Sequence, residues 1–293
     1  MGWRGYVDND RRAVFFWSQK AACTSLFGFL SDNMAKPPEK KIYFHQASQP
    51  FHVCRPLVVD EGYRSVILVR HPTLRTISAF FNKFCVYRGR PLRRRPFLEP
   101  FARDLHDLYC DRTGADPVWN TMSFEDYLDT VEALFERRPG PDTPVNGHWE
   151  TQVPPMIRRD PAFRYDHVVH VERLGTEMRG LAGALGMRYA EKTENRTPVA
   201  ETAPHDGYLG DVEARRINEY AFGYENFLTD ATIDRIAQLY ARDFETFGYD
   251  PDPRVPGGPL GPPKPTTRLR DRLGALLTRD RPARHRPPSR RSR

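Results

Sequence analysis

A lysine followed by two hydroxyl side chains gives this sequence its clearest chemical signal. Lys20 precedes Thr24 and Ser25 by four and five residues, and all three follow the apolar, β-prone run 13–17. Such a run fits a buried strand, and the apolar residues that recur after Ser25 predict a helix. A helix start attracts anions because it offers free N–H groups and the positive end of the helix dipole, and Lys20 adds a mobile charge. The segment predicts an anion site, although an ordinary strand–turn–helix with Thr24 as a cap shares the pattern.

A second segment repeats this arrangement with an arginine. Arg70 ends the apolar run 66–69, a second candidate for a buried strand, and ligands collect at the carboxyl ends of strands in open α/β sheets. Pro72 can begin a helix without losing a needed N–H, and Ser78 lies about two turns into it. We predict that Arg70 and Ser78 hold one phosphate, although alone they would fit a salt bridge and a small packing residue. Two such sites on one sheet predict a ligand that is anionic at both ends.

The spacing of the first segment differs from that of a Walker A loop. No glycine lies between Gly5 and Gly28, and Lys20 precedes the first hydroxyl by four residues instead of one. This difference weakens an interpretation as a Mg²⁺-nucleotide kinase on the same type of sheet, which stays open as an alternative.

Taken together, the motifs resemble those of the sulfotransferases that use 3′-phosphoadenosine 5′-phosphosulfate (PAPS), in particular a bacterial-like member of the carbohydrate branch of chondroitin and heparan type. Residues 19–26 resemble the 5′-phosphosulfate loop P-K-x-x-x-[ST], and residues 69–84 resemble the 3′-phosphate motif V-R-[DE]-P with a serine eight residues after the arginine. Residues 146–149 resemble an N-x-H-W segment, and residues 239–249 resemble the ending Y-x-x-D-F-x-x-F-G-Y. The resemblance spans most of residues 13–250.

Three positions depart from the family pattern. Gln19 replaces the usual proline, Ala22 stands where glycine is common, and His71 replaces the usual acid after the arginine. None of the three removes a ligand-binding side chain. The departures therefore affect the expected backbone path of the loop and leave the family resemblance unchanged.

The resemblance implies a three-layer α/β fold in which helices flank a parallel sheet like that of the P-loop NTPases. It implies PAPS as the sulfate donor, no metal, and a glycan or another hydroxyl-bearing small molecule as the acceptor. Lys20 would stabilise the bridging oxygen, and Arg70 with Ser78 would hold the 3′-phosphate. The 5′-phosphate would be held by the backbone N–H groups and hydroxyls of Ala21, Ala22, Cys23, Thr24 and Ser25.

The acceptor hydroxyl needs a base, and histidine suits this role because its pKa lies near neutrality. His148, in the N-x-H-W match, is the first candidate, His45 is the second and Glu150 is the third. A purely structural His148 in a turn beside Trp149 is the alternative. Residues 195–197, Asn-Arg-Thr, resemble a polar loop that lies over the cofactor in relatives.

The positive charge of the chain is concentrated at its C-terminal end. The chain of 293 residues has a formal net charge of +7, but residues 251–293 contain twelve Lys and Arg and three Asp, so residues 1–250 carry about −2. A nearly neutral body argues against nucleic acid as a partner. We predict a sulfotransferase domain over residues 1–250 and a disordered Pro/Arg-rich basic tail over residues 251–293.

The tail adds one further alternative. Residues 269–277 could form a short basic amphipathic helix that contacts an acidic membrane surface weakly. A non-catalytic binding protein that acts through this tail therefore stays open beside the enzyme.

Cysteine spacing and the absence of a leader predict the compartment. Cys23, Cys54, Cys85 and Cys110 form no C-x-x-C pair or zinc spacing, which predicts reduced thiols. Residues 1–20 contain no apolar core of a signal peptide, and no run reaches the ~18–20 apolar residues of a transmembrane helix. We therefore predict a cytoplasmic enzyme.

Further elements follow from hydrophobic periodicity. Residues 86–100 read as a basic loop. We predict strands at Ile42–Phe44 and Asp166–Val171, and helices at Ser123–Arg137, Leu174–Leu185, Asp211–Tyr220 and Asp230–Phe247.

Overall fold

The computed structural model describes residues 3–190 and 205–262. The chain divides into two compact units, Met1–Pro253 and Arg254–Arg293. All of the described helices and strands belong to the first unit, and the described part of the second consists of turns and bends.

Two predictions fall on residues outside this description. The loop predicted at 195–197 lies outside the described residues, and so does the amphipathic helix predicted at 269–277. Of the predicted tail, only residues 251–262 are described.

Helices and strands are interspersed along the first unit, as predicted for an α/β fold. The strands are β1 (Arg4–Asp8), β2 (Ala13–Trp17), β3 (Gln49–Pro50), β4 (Arg64–Val69), β5 (Val86–Tyr87), β6 (Arg90–Pro91) and β7 (His167–His170). The α-helices are α1 (Cys23–Asp32), α2 (Ile42–Ala47), α3 (Phe51–Val59), α4 (Pro72–Phe80), α5 (Pro100–Thr113), α6 (Phe124–Glu136), α7 (Leu174–Leu185), α8 (Asp230–Leu239) and α9 (Ala241–Phe247). A π-helical turn, Phe81–Cys85, follows α4 directly.

The central sheet has five strands in the order β3-β1-β2-β4-β7. Strands β2, β4 and β7 are parallel, and Trp17 of β2 pairs with Leu68 of β4. Strand β1 runs antiparallel to both β2 and β3. The sheet is therefore mixed, whereas the prediction was a parallel sheet. Because parallel strands end at the same edge, the segments that follow β2 and β4 begin side by side.

Helices cover both faces of the sheet, which confirms the three layers. Every residue of β2 is buried, and successive side chains of a strand point to opposite faces. Phe15 packs in a core cluster with residues of α1 and α7. Phe16 packs in another with residues of α3 and α9.

The predicted elements around the two motifs are confirmed. Strands β2, β4 and β7 and helices α4 and α7 form where the sequence predicts them. Helix α6 begins with a capping box, in which the Ser123 hydroxyl accepts from the Asp126 N–H and the Asp126 carboxylate accepts from the Ser123 N–H.

Two of the other predicted elements are wrong. Ile42–Phe44 begins a helix instead of a strand; only Phe44 is buried, and such a short apolar run fits either element. The predicted helix Asp211–Tyr220 consists of turns with one 3₁₀ turn, Ile217–Glu219. Its backbone bonds elsewhere, because the Ala214 N–H donates to the Met122 carbonyl and the Arg215 N–H to that of Asn120.

Two further segments are more divided than predicted. Asp230–Phe247 forms two helices that break at Tyr240, whose hydroxyl donates to the Trp149 carbonyl oxygen at 2.8 Å. The predicted loop 86–100 contains the β5–β6 hairpin.

Candidate active site

The loop between β2 and α1 turns sharply through two residues in the left-handed region. Lys20 has φ 68° and Ala22 has φ 53°, and Ala22 is the N-cap of α1. The Ser18 carbonyl oxygen accepts from the Ala21 N–H at 3.2 Å and from the Cys23 thiol at 3.2 Å, which closes the loop. Thr24 and Ser25 then lie in the first turn of α1. The Ser25 N–H donates to the Ala22 carbonyl oxygen at 3.0 Å, whereas the first N–H groups of a helix lack intrahelical partners.

Arg70 joins the two predicted motifs. Its Nη1 donates to the Lys20 carbonyl oxygen at 3.2 Å, and its Nη2 donates to the Tyr224 hydroxyl at 2.9 Å. The Tyr224 ring in turn lies 5.6 Å from that of Phe81, three residues after Ser78. Ser78 is buried on α4, and its hydroxyl bonds no other group among the described residues. The structure therefore places Lys20, Arg70 and the Ser78 helix around one edge of the sheet.

Gln152, which the sequence analysis missed, clamps this edge. Its Oε1 accepts from the Arg70 N–H at 2.9 Å and from the Ser18 hydroxyl at 3.1 Å, and its Nε2 donates to the Arg70 carbonyl at 2.9 Å. One carboxamide thus fixes the residues that follow β2 and β4. No motif containing Gln152 marked this role, because its partners lie about 80 or more residues away in the chain.

Asp243 holds Gln152 in turn. Its carboxylate is fully buried and accepts from the backbone N–H groups of Gln152 and Val153 at 2.8–3.0 Å. Burial raises the pKa of Asp243 to about 6, against the opposing effects of the Arg75 charge and these N–H donors. The signal was present in the sequence, because Asp243 is the acid of the matched ending Y-x-x-D-F.

The segment that carries His148 is fastened to α4. The buried Arg75 donates to the carbonyl oxygens of Gly147 at 3.3 Å and Glu150 at 2.5 Å. Gln19 packs directly on Gly147, where any side chain would overlap its Oε1. The loop containing Lys20 and the segment containing His148 are therefore in contact.

His148 is oriented by its own neighbours. The Asn146 Oδ1 lies 3.0 Å from the His148 backbone N and 2.8 Å from its Nδ1. Since that oxygen can only accept, Nδ1 carries the proton and Nε2 keeps a lone pair. The imidazole stacks on Phe101 at 4.7 Å. Desolvation, followed by the charges of Lys83 and Lys20, lowers the pKa of His148 well below its usual value, so the ring is neutral at pH 7.

Lys83 is a second functional candidate that the sequence analysis did not single out. It lies in the π-helical turn after α4, is buried, and pairs with Glu99 at 2.5 Å. Its Nζ lies 5.3 Å from the centroid of the Phe101 ring. Burial, and then the charges of Lys83 and Arg70, lower the pKa of Lys20 to about 8. Lys20, Lys83 and Arg70 thus lie close enough for their charges to interact, with Glu99 paired to Lys83, and this arrangement suits a ligand with several negative charges.

His45 lies at a cavity beside the same loop. This cavity of about 280 Å³ is lined by Trp3, Arg4, Trp17, Gln19 and His45. The exposed imidazole packs edge-on against Trp17 at 5.8 Å and Phe27 at 4.9 Å. Desolvation against these rings and the charge of Arg4 lower the pKa of His45. His45 contributes to the pKa shift of His148, so both predicted histidines lie in one electrostatic neighbourhood.

A sequence model of the sulfotransferase family matches residues 6–250. The chain belongs to the sulfotransferase family. Searches of the curated proteins and of the solved structures gave no match. The family match includes both motif segments and confirms the predicted transferase in its general form.

In this sulfotransferase, Glu150, the third candidate base, and His71, which departs from the family pattern, both have structural partners. The Glu150 carboxylate is buried and accepts from the backbone N–H groups of Val145 and Thr151 and from Arg138, so it fastens the loop and is not free to act as a base. His71 caps α4, and its N–H donates to Glu172 at 2.8 Å. An acid thus lies beside this turn, although it comes from a different part of the chain.

The remaining predictions concern thiols, metals and membranes. All four cysteines are free, and burial raises the pKa of the Cys23 thiol to about 11, so this thiol stays protonated as a structural donor. Among the described residues, no group of three His, Cys, Asp or Glu side chains could hold a metal ion. Within the same residues, no helix has the length and apolar character needed to cross a membrane.

Proposed function

We propose that this sulfotransferase transfers the sulfuryl group of PAPS to a hydroxyl of a carbohydrate or glycan. The observation that carries the proposal is the hydrogen bond between Arg70 and the Lys20 carbonyl oxygen. It joins two cationic motifs into one site, and PAPS carries two separate anionic groups, the 5′-phosphosulfate and the 3′-phosphate.

The residues present fit such a donor. The helix start at Cys23 offers N–H groups beside the Thr24 hydroxyl, and Lys20 lies two residues before the N-cap. Arg70 supplies a fork of donors and Ser78 a hydroxyl for the second phosphate. Burial, and then the charges of Lys83 and Arg70, lower the pKa of Lys20, and a bound polyanion would favour its protonated form.

The proposed reaction divides its work between Lys20 and His148. PAPS supplies an activated sulfuryl group whose bond to the 5′-phosphate breaks as the acceptor oxygen attacks sulfur. His148 takes the proton of the acceptor hydroxyl at Nε2, the nitrogen that Asn146 leaves unprotonated. Lys20 stabilises the negative charge that develops on the leaving phosphate oxygen. His45 is the alternative base.

The cavity at His45 supports a carbohydrate acceptor. Its walls combine the rings of Trp3 and Trp17 with the polar groups of Arg4 and Gln19. Aromatic faces with a few convergent polar groups bind a compact ligand with several hydroxyls. The exposed Arg88, Arg90 and Arg93 of the basic loop would favour an acceptor that is itself an anionic glycan.

Binding of adenosine 3′,5′-bisphosphate, the nucleotide product, tests the proposal. We expect micromolar binding by calorimetry to the full chain in EDTA, and sulfate transfer from labelled PAPS to a glycan in a panel of hydroxyl acceptors. Binding of Mg-ATP alone would contradict the proposal in favour of the kinase-like alternative. A chain ending at Pro253 should keep nucleotide binding, whereas a binder acting through its tail would lose its partner.

A further inference from the structure

A second cavity, of about 530 Å³, lies at the ends of α6, α8 and α9 and contributes nothing to the proposed reaction. The residues that line it include Arg138, Arg158 and Arg242 together with Phe135 and Leu239. Three arginines that converge on one cavity from three segments of the chain require an explanation.

The arginines of this cavity are only partly compensated. Arg138 is 12% exposed, lies 4.3 Å from the Phe135 ring, and pairs with Glu150 through Nη2 at 3.3 Å. The Nε atoms of Arg138 and Arg242 are buried without a hydrogen-bond partner among the described residues. Burial and the nearby charge of Arg158 lower the pKa of Arg242.

Most of the carboxylates near the cavity already have partners, and one of them, Glu150, is the partner of Arg138. Glu150 and Asp243 accept backbone N–H groups of the segment 145–153, and Asp142 pairs with Arg159. Glu245 lines the cavity and is the one carboxylate among its lining residues. The three lining arginines therefore outnumber the carboxylates Glu245 and Glu150 that lie against them.

We propose that this cavity binds a small organic phosphate or sulfate ester. The arginines bind the dianion through charge-assisted hydrogen bonds, and the surface of Phe135 and Leu239 covers the organic part. A volume of about 530 Å³ holds a ligand of the size of a sugar phosphate. The site shares none of these residues with the donor site.

Calorimetry on the full chain tests this site, with adenosine 3′,5′-bisphosphate present in excess so that the donor site is filled. The probes are glucose 6-phosphate, glucose 6-sulfate, inorganic phosphate and inorganic sulfate. We expect an ester to bind more tightly than the inorganic anions, and the two glucose esters distinguish a phosphate from a sulfate site. Equal affinity for ester and inorganic anion would overturn the organic part of the proposal.

Arg242→Gln should weaken ester binding about tenfold or more, the usual cost of a charge-assisted hydrogen bond. Arg137→Gln is the matched control, because Arg137 is exposed and does not line the cavity. The control should bind like wild type. An equal loss in both variants, or no binding of any probe to wild type, would overturn the proposal. Arg158→Gln gives a second measurement at an exposed side chain, should Arg242→Gln fold poorly. The same variants are also titrated with the esters in the absence of adenosine 3′,5′-bisphosphate. This comparison of ester affinities remains valid even if the donor site binds a different nucleotide.

Discussion

Arg70 Nη1 donates a hydrogen bond to the main-chain carbonyl oxygen of Lys20 at 3.2 Å. The parallel pairing of β2 with β4 makes this contact possible, because both residues follow strands that end at the same edge of the sheet. Arg70 therefore orients the turn that carries Lys20, in addition to offering a cation of its own. The two motifs are thus in direct contact, and the donor site proposed there leads to the following predictions.

The lowered pKa of Lys20 predicts that nucleotide binding depends on pH. In the free protein this pKa is about 8, and a bound phosphate must raise it because an opposite charge favours the protonated amine. Binding of adenosine 3′,5′-bisphosphate at pH 8 should therefore take up protons, and affinity should fall as the pH rises above 8. Calorimetry in buffers of different ionisation enthalpy measures the uptake. Lys20→Met should bind more weakly and lose the uptake, and unchanged uptake in that variant would contradict the assignment.

Substitution of His148 should affect chemistry and not donor binding. His148→Asn should lower kcat by about 10²–10⁴, the usual contribution of a positioned general base, and leave the affinity for adenosine 3′,5′-bisphosphate near that of wild type. His45→Asn is the matched control, which should change the KM of the acceptor more than kcat. If His45→Asn shows the large kcat loss and His148→Asn does not, His45 is the base.

The hydrogen bonds of Gln152 should stabilise both the fold and the donor site. Gln152→Leu leaves the backbone N–H and carbonyl of Arg70 without their partner, and it leaves the Ser18 hydroxyl only the Gln19 carbonyl oxygen at 3.3 Å. Each buried polar group left unpaired costs about 1–3 kcal/mol, so urea unfolding should show a loss of that order or more, together with weaker nucleotide binding. Gln152→Glu keeps the acceptor oxygen but loses the N–H donor, so its stability and nucleotide affinity should lie between those of wild type and Gln152→Leu. Wild-type nucleotide affinity in a folded Gln152→Leu protein would show that the clamp does not matter for the site.

The left-handed backbone of Ala22 predicts a stabilising substitution. A left-handed conformation costs an L-residue roughly 1–2 kcal/mol, whereas the extra backbone freedom of glycine costs about 0.5–1 kcal/mol. Ala22→Gly should therefore raise the free energy of unfolding by about 0.5–1 kcal/mol. Ala21→Gly is the control at a buried neighbour that does not have a positive φ, and it should destabilise. Destabilisation by both substitutions would contradict the prediction.

Local patterns predicted the parts of the site that lie in continuous segments. Strand β2, the loop with Lys20, and Arg70 before α4 were all predicted, because apolar runs and a helix-starting proline mark them directly. The left-handed Ala22 also agrees with the position where relatives commonly have glycine.

Residues that act through distant contacts could not be predicted in the same way. Gln152 forms hydrogen bonds with Arg70 and Ser18, which lie 82 and 134 positions before it in the chain. Asp243, which binds Gln152, lies 91 positions after it. Lys83 lies within the matched segment 69–84, but its burial beside Glu99 in a π-helical turn was not predicted. The segment 211–220 was predicted wrongly because its backbone bonds residues 120–122 instead of itself.

The most direct test of the central claim compares two nucleotides in wild type and in Arg70→Ala. If Arg70 holds a 3′-phosphate, the substitution should weaken binding of adenosine 3′,5′-bisphosphate by about ten- to hundredfold, the cost of a charged hydrogen bond. Binding of 5′-AMP should weaken by a clearly smaller factor, because for 5′-AMP only the orientation of the Lys20 turn is lost. Arg64→Ala, at the other end of β4, is the control and should bind both nucleotides like wild type. An equal loss for both nucleotides in Arg70→Ala would contradict a donor site with two separate phosphate positions.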